Sequence, residues 1–276
     1  MTTWGGEQID LDAYLAKIGY EGERAPTLEV LHALHRAHVT TIPFENVEVA
    51  LGREVPLDLK RVQEKLVGQA RGGYCYEQNT LLAAALERLG FQVAGRGARN
   101  RTRGDALLPV THAVLVVTVE GEQWLVDAGF GWQGLLEPMP LRAGAQVRQS
   151  DGWTFAIAEE EGEGILVLRS LRTEGWVDLY AFAPQTLYPV DFVLMNHYSS
   201  THPRSSFLGK VVAHRIAPDA RYGFVADSLR TGRSDGSFDE RPVAPEELAD
   251  LLAEVFRIGL SAEDAAAVGR VHPDAG

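Results

Sequence analysis

The chain has a single cysteine among its 276 residues. No internal disulfide can form, and no disulfide framework supports the fold. No apolar run approaches the ~20 residues that a membrane-spanning helix needs. Basic residues are in the minority, 26 Lys and Arg against 38 Asp and Glu, for a net charge of −12. That balance argues against a general binder of nucleic acid or of anionic membrane, because both need a basic face. Internal repeats and long low-complexity linkers are also lacking. The opening Met1-Thr2-Thr3-Trp4-Gly5-Gly6-Glu7 has no cationic segment leading into an apolar one. A reduced, cytoplasmic location is therefore expected, and a thiol nucleophile survives there. What remains is ordinary globular composition, 45% hydrophobic and 23% charged, enough for one large domain or two to three small ones.

The lone cysteine has unusual neighbours. It sits in Arg71-Gly72-Gly73-Tyr74-Cys75-Tyr76-Glu77-Gln78-Asn79, directly before Thr80-Leu81-Leu82-Ala83-Ala84-Ala85-Leu86-Glu87-Arg88-Leu89-Gly90. The second stretch reads as a helix stopped by Gly90, and the two glycines permit a tight turn before it. Cys75 then falls at or just before the helix N-terminus. Unpaired N–H groups and the positive end of the macrodipole favour a thiolate there. The ordinary alternative is a small buried hydrophobe, so the assignment needs a base.

The first third reads as helical over 9–19, 27–38, 57–66 and the stretch after Cys75, with Ile42-Pro43 as a break. The middle third reads as short strands: a hairpin of 111–119 with 123–127, then 146–149, 153–158, 165–171 and 177–182. Residues 189–198 suggest a short helix, 211–216 and 222–229 strands, and 245–256 a helix with Pro245 in its first turn. The tail from Ser261 reads as frayed. The basic run Arg96, Arg99, Arg101 and Arg103 is able to meet phosphates but reads first as a solvated loop.

Eight histidines are available as a base. His32, His35 and His38 share one helix without a matching carboxylate or Cys cluster, so packing is the better reading and no metal site is expected. His112 opens the apolar strand of the hairpin, and Asp127 ends its partner inside Leu125-Val126-Asp127-Ala128-Gly129-Phe130-Gly131. A carboxylate in such surroundings calls for a cation or N–H donors. The set Cys75, His112 and Asp127 suits nucleophile, base and orienter. The alternatives are a strand-end histidine satisfied by a carbonyl and an Asp that starts a turn.

These residues resemble a known family. The Arg71–Asn79 stretch is similar to the active-site signature of the arylamine N-acetyltransferases. Ile42-Pro43-Phe44-Glu45-Asn46, Thr111-His112, Val126–Gly131, Asp191–Tyr198 and Ser205-Ser206-Phe207 follow that family's landmarks in order, over roughly residues 5 to 260. The resemblance implies an α+β fold: an N-terminal helical bundle (1–90) carrying the cysteine, a central antiparallel β-barrel (91–188) carrying His and Asp, and a C-terminal α/β lid (189–276), around a cysteine-protease-like Cys-His-Asp core. It implies acetyl-CoA as co-substrate, an arylamine or arylhydrazine as acceptor, and a role in xenobiotic metabolism. It also implies a pocket shared by acceptor and pantetheine, with Thr111, Gly129, Phe130 and Phe207 on the cofactor side and Phe44, Phe130 and Phe207 as acceptor walls. Where many members carry Arg beside the Thr, this chain reads Leu107-Leu108-Pro109-Val110, which leaves the phosphate contacts unassigned.

The implied reaction is ping-pong: Cys75 takes the acetyl group, then an amine takes it from Cys75. Arg71 and Glu45 suit a structural ion pair, and Glu77 and Asn79 suit bracing of the helix start. Rival readings are a hydrolase or other thiol acyltransferase on the same triad, an amide synthase with a larger pocket and a carrier partner, and a non-enzymatic binding module. The last would need a defective triad, and the sequence shows no defect. No nucleic-acid or membrane partner is expected, and the oligomeric state stays open.

Overall fold

The computed structural model describes residues 3–102, 104, 106–160, 164–218 and 220–271. Its first elements are α1 (Leu11–Ile18), α2 (Leu28–Thr41), a two-residue strand β1 (Phe44–Glu45), α3 (Val47–Ala50), α4 (Leu59–Leu66) and α5 (Cys75–Arg88). Asp10, Thr27 and Asp58 cap α1, α2 and α4 by accepting the N–H of Ala13, Val30 and Arg61, which satisfies donors the helix cannot pair itself. From Cys75 to Leu86 every residue of α5 is buried. A helix without a polar face belongs inside a core, and α5 is the axis around which Tyr14, Leu31, Leu34 and Leu66 pack.

The strands β2 (Gln92–Asn100), β3 (Val110–Val119), β4 (Glu122–Val126), β5 (Met139–Pro140), β6 (Gln146–Arg148), β7 (Thr154–Glu159), β8 (Leu166–Arg172) and β9 (Gly175–Phe182) form one eight-stranded sheet. Its order is β5-β4-β3-β2-β9-β8-β7-β6, antiparallel throughout and curled into a nearly closed barrel. Strand β3 is buried on both faces: Ala113, Leu115 and Val117 pack with α5, while Val114 points into the barrel core with Trp153 and Phe155. That two-sided burial explains its unbroken apolar run.

The rest comprises α6 (Pro189–Thr201), β10 (Val212–Ile216), β11 (Arg221–Val225), β12 (Ser228–Gly232), β13 (Phe238–Pro242), a 3-10 turn at Pro245–Glu247, α7 (Leu248–Glu254) and α8 (Ala262–Arg270). A second antiparallel sheet runs β1-β10-β11-β12-β13. Its edge strand β1 comes from the beginning of the chain, with Phe44 opposite His214 and Glu45 opposite Ala213.

Three local expectations are corrected, and one strand was not foreseen. The 93–103 stretch is mostly strand β2, not a solvated loop. Arg96 donates to the Gly95 carbonyl and Thr186, Arg99 to the Leu108 carbonyl, and Arg101 pairs with Glu160; Arg103 lies outside the described residues. The glycines hid this strand, and they are there for close approach: a Cβ on Gly95 would fall 2.7 Å from the Leu187 carbonyl, and one on Gly97 2.6 Å from Val110. Residues 222–229 are two strands, not one, because the chain reverses at Ala226, whose φ is +61°. Strand β13, exposed along its length, has no apolar pattern to announce it. The tail is not frayed through its described part: Ser261 caps α8 through the Asp264 N–H at 3.1 Å, and Val268 is buried.

A buried ion network holds the loop before α5. Glu45, fully enclosed, accepts from Arg71 at 2.8 Å and from the Val47 N–H at 2.7 Å. Arg71 also reaches Glu48 at 2.9 Å, and Lys65 reaches Glu77 at 2.8 Å. Glu77 in turn accepts the Tyr74 N–H at 3.1 Å. Replacing Arg71 by Ala removes the hydrogen-bonded partner of buried Glu45 and leaves it only the Lys65 ammonium, 3.8 Å away. The expected cost is about 3 kcal/mol of stability, read as a lowered midpoint in denaturant unfolding.

Candidate active site

Cys75 is the first residue of α5, with Tyr74 as the preceding cap position. Gly72 and Gly73 do not supply a left-handed turn, since neither has a positive φ. Their role is close approach: a Cβ on Gly72 would run into the Pro43 carbonyl. The absence of side chains there lets Gly73 N–H reach the Pro43 carbonyl at 3.3 Å and Glu45 N–H reach the Gly73 carbonyl at 3.1 Å. The Cys75 helix start is thereby stitched to strand β1.

His112 and Asp127 come from neighbouring strands. The register pairs Leu115 with Val126, which carries Asp127 one step past the ladder and diagonally across from His112. Their side chains meet, His112 Nε2 to Asp127 Oδ2, at 2.7 Å. The other ring nitrogen of His112 is left for Cys75, which lies beside this imidazole and lines the same cavity, with its Sγ 4.0 Å from the Thr111 carbonyl. All three groups are buried. The structure therefore brings Cys75, His112 and Asp127 together.

The Asp127 carboxylate is fully engaged. Oδ1 accepts the Gly129 N–H at 2.8 Å and Asn79 Nδ2 at 3.2 Å. Asn79 also donates to the Ala113 carbonyl at 2.7 Å and accepts the Ala128 N–H at 3.1 Å. It braces Asp127, not the helix start. Gly129 lies against Cys75 itself, where a Cβ would sit 2.5 Å from the Cys75 Cα. The glycine expected to admit a ligand is needed first to admit the nucleophile.

Burial alone would lower the pKa of His112, but the charge and hydrogen bond of Asp127, with Cys75 beside the ring, push it up to about 10. Burial would likewise raise Asp127, and His112, the Gly129 N–H and Asn79 hold it below the ordinary carboxylate range. The resulting state is an imidazolium between a carboxylate and a sulfur. Such a pair keeps a thiol ready to act as a nucleophile.

His35 is a contact that sequence reasoning had assigned only to packing. Its Nδ1 faces the Leu136 carbonyl at 3.0 Å, and its Nε2 accepts the Asp127 backbone N–H at 3.3 Å. Burial holds its pKa below the usual value, which keeps the ring neutral and Nε2 an acceptor. The available signal was its place on the apolar stripe Leu31-Leu34-His35-His38: a polar ring on a buried face must find partners. His38 lies between the Tyr14 hydroxyl and Gln78, and His32 packs edge-on against Trp124.

A cavity of about 380 Å³ opens onto Cys75 and His112. Phe44, Thr111, Gly129, Phe130 and Phe207 all line it. Phe130 packs against His112 with ring centroids 5.2 Å apart, and Phe207 packs on Phe44 at 6.1 Å. The Thr111 carbonyl accepts the Tyr76 hydroxyl at 2.8 Å. Arg204, Lys210 and Arg230 also line this cavity; sequence reading had looked to the β2 arginines for cations.

An N-acetyltransferase family model matches residues 27–265. The chain is 37% identical to the arylamine N-acetyltransferase of Mycobacterium tuberculosis over 261 residues, covering 92% of this chain and 90% of that one. The chain belongs to the arylamine N-acetyltransferase family. Among solved structures, the arylamine N-acetyltransferase of Nocardia farcinica superposes with a TM-score of 0.92 at 43% identity, over 97% of this chain and 96% of that one. The Mycobacterium marinum family member in complex with CoA superposes with a TM-score of 0.85 at 34% identity, over 95% and 97% of the two chains. Among the described residues no helix is long and apolar enough to cross a membrane.

The protonation order of the histidines is a direct test of this electrostatic picture. His112 is expected to stay protonated through pH 8, while His38 and His214, pushed down by burial to about 4 and about 3, stay neutral from pH 8 down to pH 5. Nitrogen-15 histidine NMR reads each ring. Because the folded pKa of His112 lies above its unfolded value near 6.5, its contribution to stability is complete below 6.5 and is lost as pH rises through about 10. A His112 ring that titrates near 6.5 in the folded protein contradicts the assignment.

Proposed function

We propose that the protein transfers an acetyl group from acetyl-CoA to an arylamine or arylhydrazine through an acetyl-Cys75 intermediate. The observation that carries this reading is the buried His112–Asp127 pair beside Cys75, with Cys75 and His112 both lining an aromatic-walled cavity, in a chain of this family. Cys75 is assigned as nucleophile, His112 as acid and base, and Asp127 as the group that orients and charges His112.

In the first half-reaction the Cys75 thiolate attacks the thioester carbonyl. The N–H groups at the start of α5, Cys75 and Tyr76, are free of intrahelical partners and suit the oxyanion. The carbon–sulfur bond to CoA breaks, and the departing thiolate takes the His112 proton. One thioester replaces another, so the step is nearly balanced and the task is one of positioning. In the second half-reaction the amine nitrogen attacks the acetyl carbonyl, His112 accepts the amine proton, and Cys75 leaves as thiolate. Phe44, Phe130 and Phe207 offer flat apolar surface to the acceptor and the pantetheine arm. Arg204, Lys210 and Arg230 suit the anionic end of CoA in a chain that is acidic overall.

The division into 1–90, 91–188 and 189–276 serves as a working description of helical, barrel and lid segments, with the provision that Phe44–Glu45 completes the lid's sheet. A reducing compartment such as the cytoplasm suits a protein whose single thiol does the chemistry.

Incubation with acetyl-CoA and no amine should add one acetyl group to the peptide containing Cys75, detected by mass spectrometry, and addition of an arylamine should remove it. Cys75→Ser should abolish transfer while leaving the unfolding midpoint near that of the parent. Asp127→Asn should lower kcat by about 10²- to 10⁴-fold, as expected when the orienting charge of a triad is neutralised. An unmodified Cys75, with full amine turnover by the serine variant, would refute the reading.

A further inference from the structure

His214 is a polar group in the cavity wall that the chemistry above does not use. It lies on β10 opposite Phe44 of β1 and stacks on that ring, centroids 4.9 Å apart and planes 24° apart. Its other strand neighbour is Gly223. Gly131, with φ of +88°, lies directly against it; a Cβ there would collide with Nδ1. Nδ1 is buried with no hydrogen-bond partner among the described residues. Nε2 has none among them either, yet it is not among the buried unpaired atoms, so it is the accessible nitrogen of a ring that borders both the Cys75 cavity and a small pocket of about 10 Å³ behind it.

The tautomer follows from the cost of orphaned groups. An unpaired buried N–H is rarer in proteins than an unpaired lone pair. The hydrogen therefore belongs on Nε2, and the lone pair on enclosed Nδ1. Burial pushes this histidine's pKa down to about 3, so it is a neutral donor, not a cation. Its place relative to the thiol is fixed by one short loop. Gly129 touches Cys75, Gly131 touches His214, and the two glycine Cα atoms lie at most about 7 Å apart. The nucleophile and the imidazole therefore flank the same short loop at one cavity.

Resting on the acetyltransferase reading, we propose that His214 makes this pocket selective for arylamines carrying a hydrogen-bond acceptor on the ring remote from the amine, by donating Nε2–H to that substituent. Phe44 on one side and the Gly131 loop on the other hold the imidazole in place. The apolar walls bind any flat ring, and His214 separates acceptor-bearing rings from plain alkyl ones. It is a specificity residue and takes no proton in the reaction.

The test compares two acceptors of similar shape, 4-methoxyaniline and 4-ethylaniline, in the full-length enzyme with acetyl-CoA. The ratio of their kcat/KM values in the parent should exceed the ratio in His214→Phe by about three- to ten-fold, the worth of one neutral hydrogen bond. Comparing ratios cancels the intrinsic difference in amine reactivity. His214→Gln, which keeps an N–H donor, should restore much of the preference. Equal ratios in the parent and the Phe variant overturn the proposal. A second measurement does not depend on the variants: in nitrogen-15 histidine spectra, 4-methoxyacetanilide should shift the His214 Nε2 resonance and 4-ethylacetanilide should not. Equal or absent shifts overturn it as well. If acetyl-CoA fails to label Cys75, the acetyltransferase reading falls by itself, and the binding spectra still decide for or against His214 as a donor.

Discussion

The buried carboxylate of Asp127 is the constraint around which the centre of this protein is arranged. A charge in that position is tolerable only if it is surrounded, and four elements supply the surroundings. Strand β3 brings His112, helix α5 brings Asn79, the loop after β4 folds its own Gly129 N–H back, and α2 supports the main chain through His35. Two of these partners come from the helical segment, and two from strand β3 and the loop after its neighbour β4 in the barrel sheet. The requirement to satisfy one anion therefore fixes how the helical segment meets the barrel, and that contact is where the sulfur lies. Stability and reactivity share the same hydrogen bonds here.

A second charged cluster does comparable work a few residues away. Glu45, Arg71, Glu48, Lys65 and Glu77 link strand β1, helix α3, helix α4 and the first turn of α5. Such buried networks are weak sources of net stability compared with apolar packing, but breaking one member is costly. Their contribution is position: through Arg71, Glu77 and the Tyr74 N–H they tie the loop Arg71–Tyr74 to β1, α3 and α4 at the point where α5 begins.

Much of this was legible in the sequence, and the reasons differ by element. The capped helices announced themselves through Asp10, Thr27 and Asp58 before apolar repeats. The β3–β4 hairpin did so through its Val-rich run and the Glu120-Gly121-Glu122 turn. The meeting of His112 and Asp127 was readable because a carboxylate ending an apolar strand needs a partner, and the histidine opening the neighbouring strand supplies one. Strand β2 was not readable, because its Gly95 and Gly97 serve close packing against Leu187 and Val110, which local sequence does not reveal. Nor were the contacts of His35 and His214. Both lie on regular elements with ordinary neighbours, and their partners are about 90 residues distant in the chain (Asp127 for His35) or more (Phe44 for His214).

The placement of β1 reaches beyond the site. Residues 44 and 45 hydrogen-bond to the Gly73 loop on one side and to β10 on the other, so a strand made early in synthesis waits for a partner made some 170 residues later. During translation the thiol can be assembled into its helix, yet the wall behind it stays open until Val212–Ile216 has left the ribosome. Contacts so far apart in sequence close slowly. A chain stopped before β10 would hold its single cysteine at the start of α5 but leave Phe44 and Glu45 without the strand they pair with.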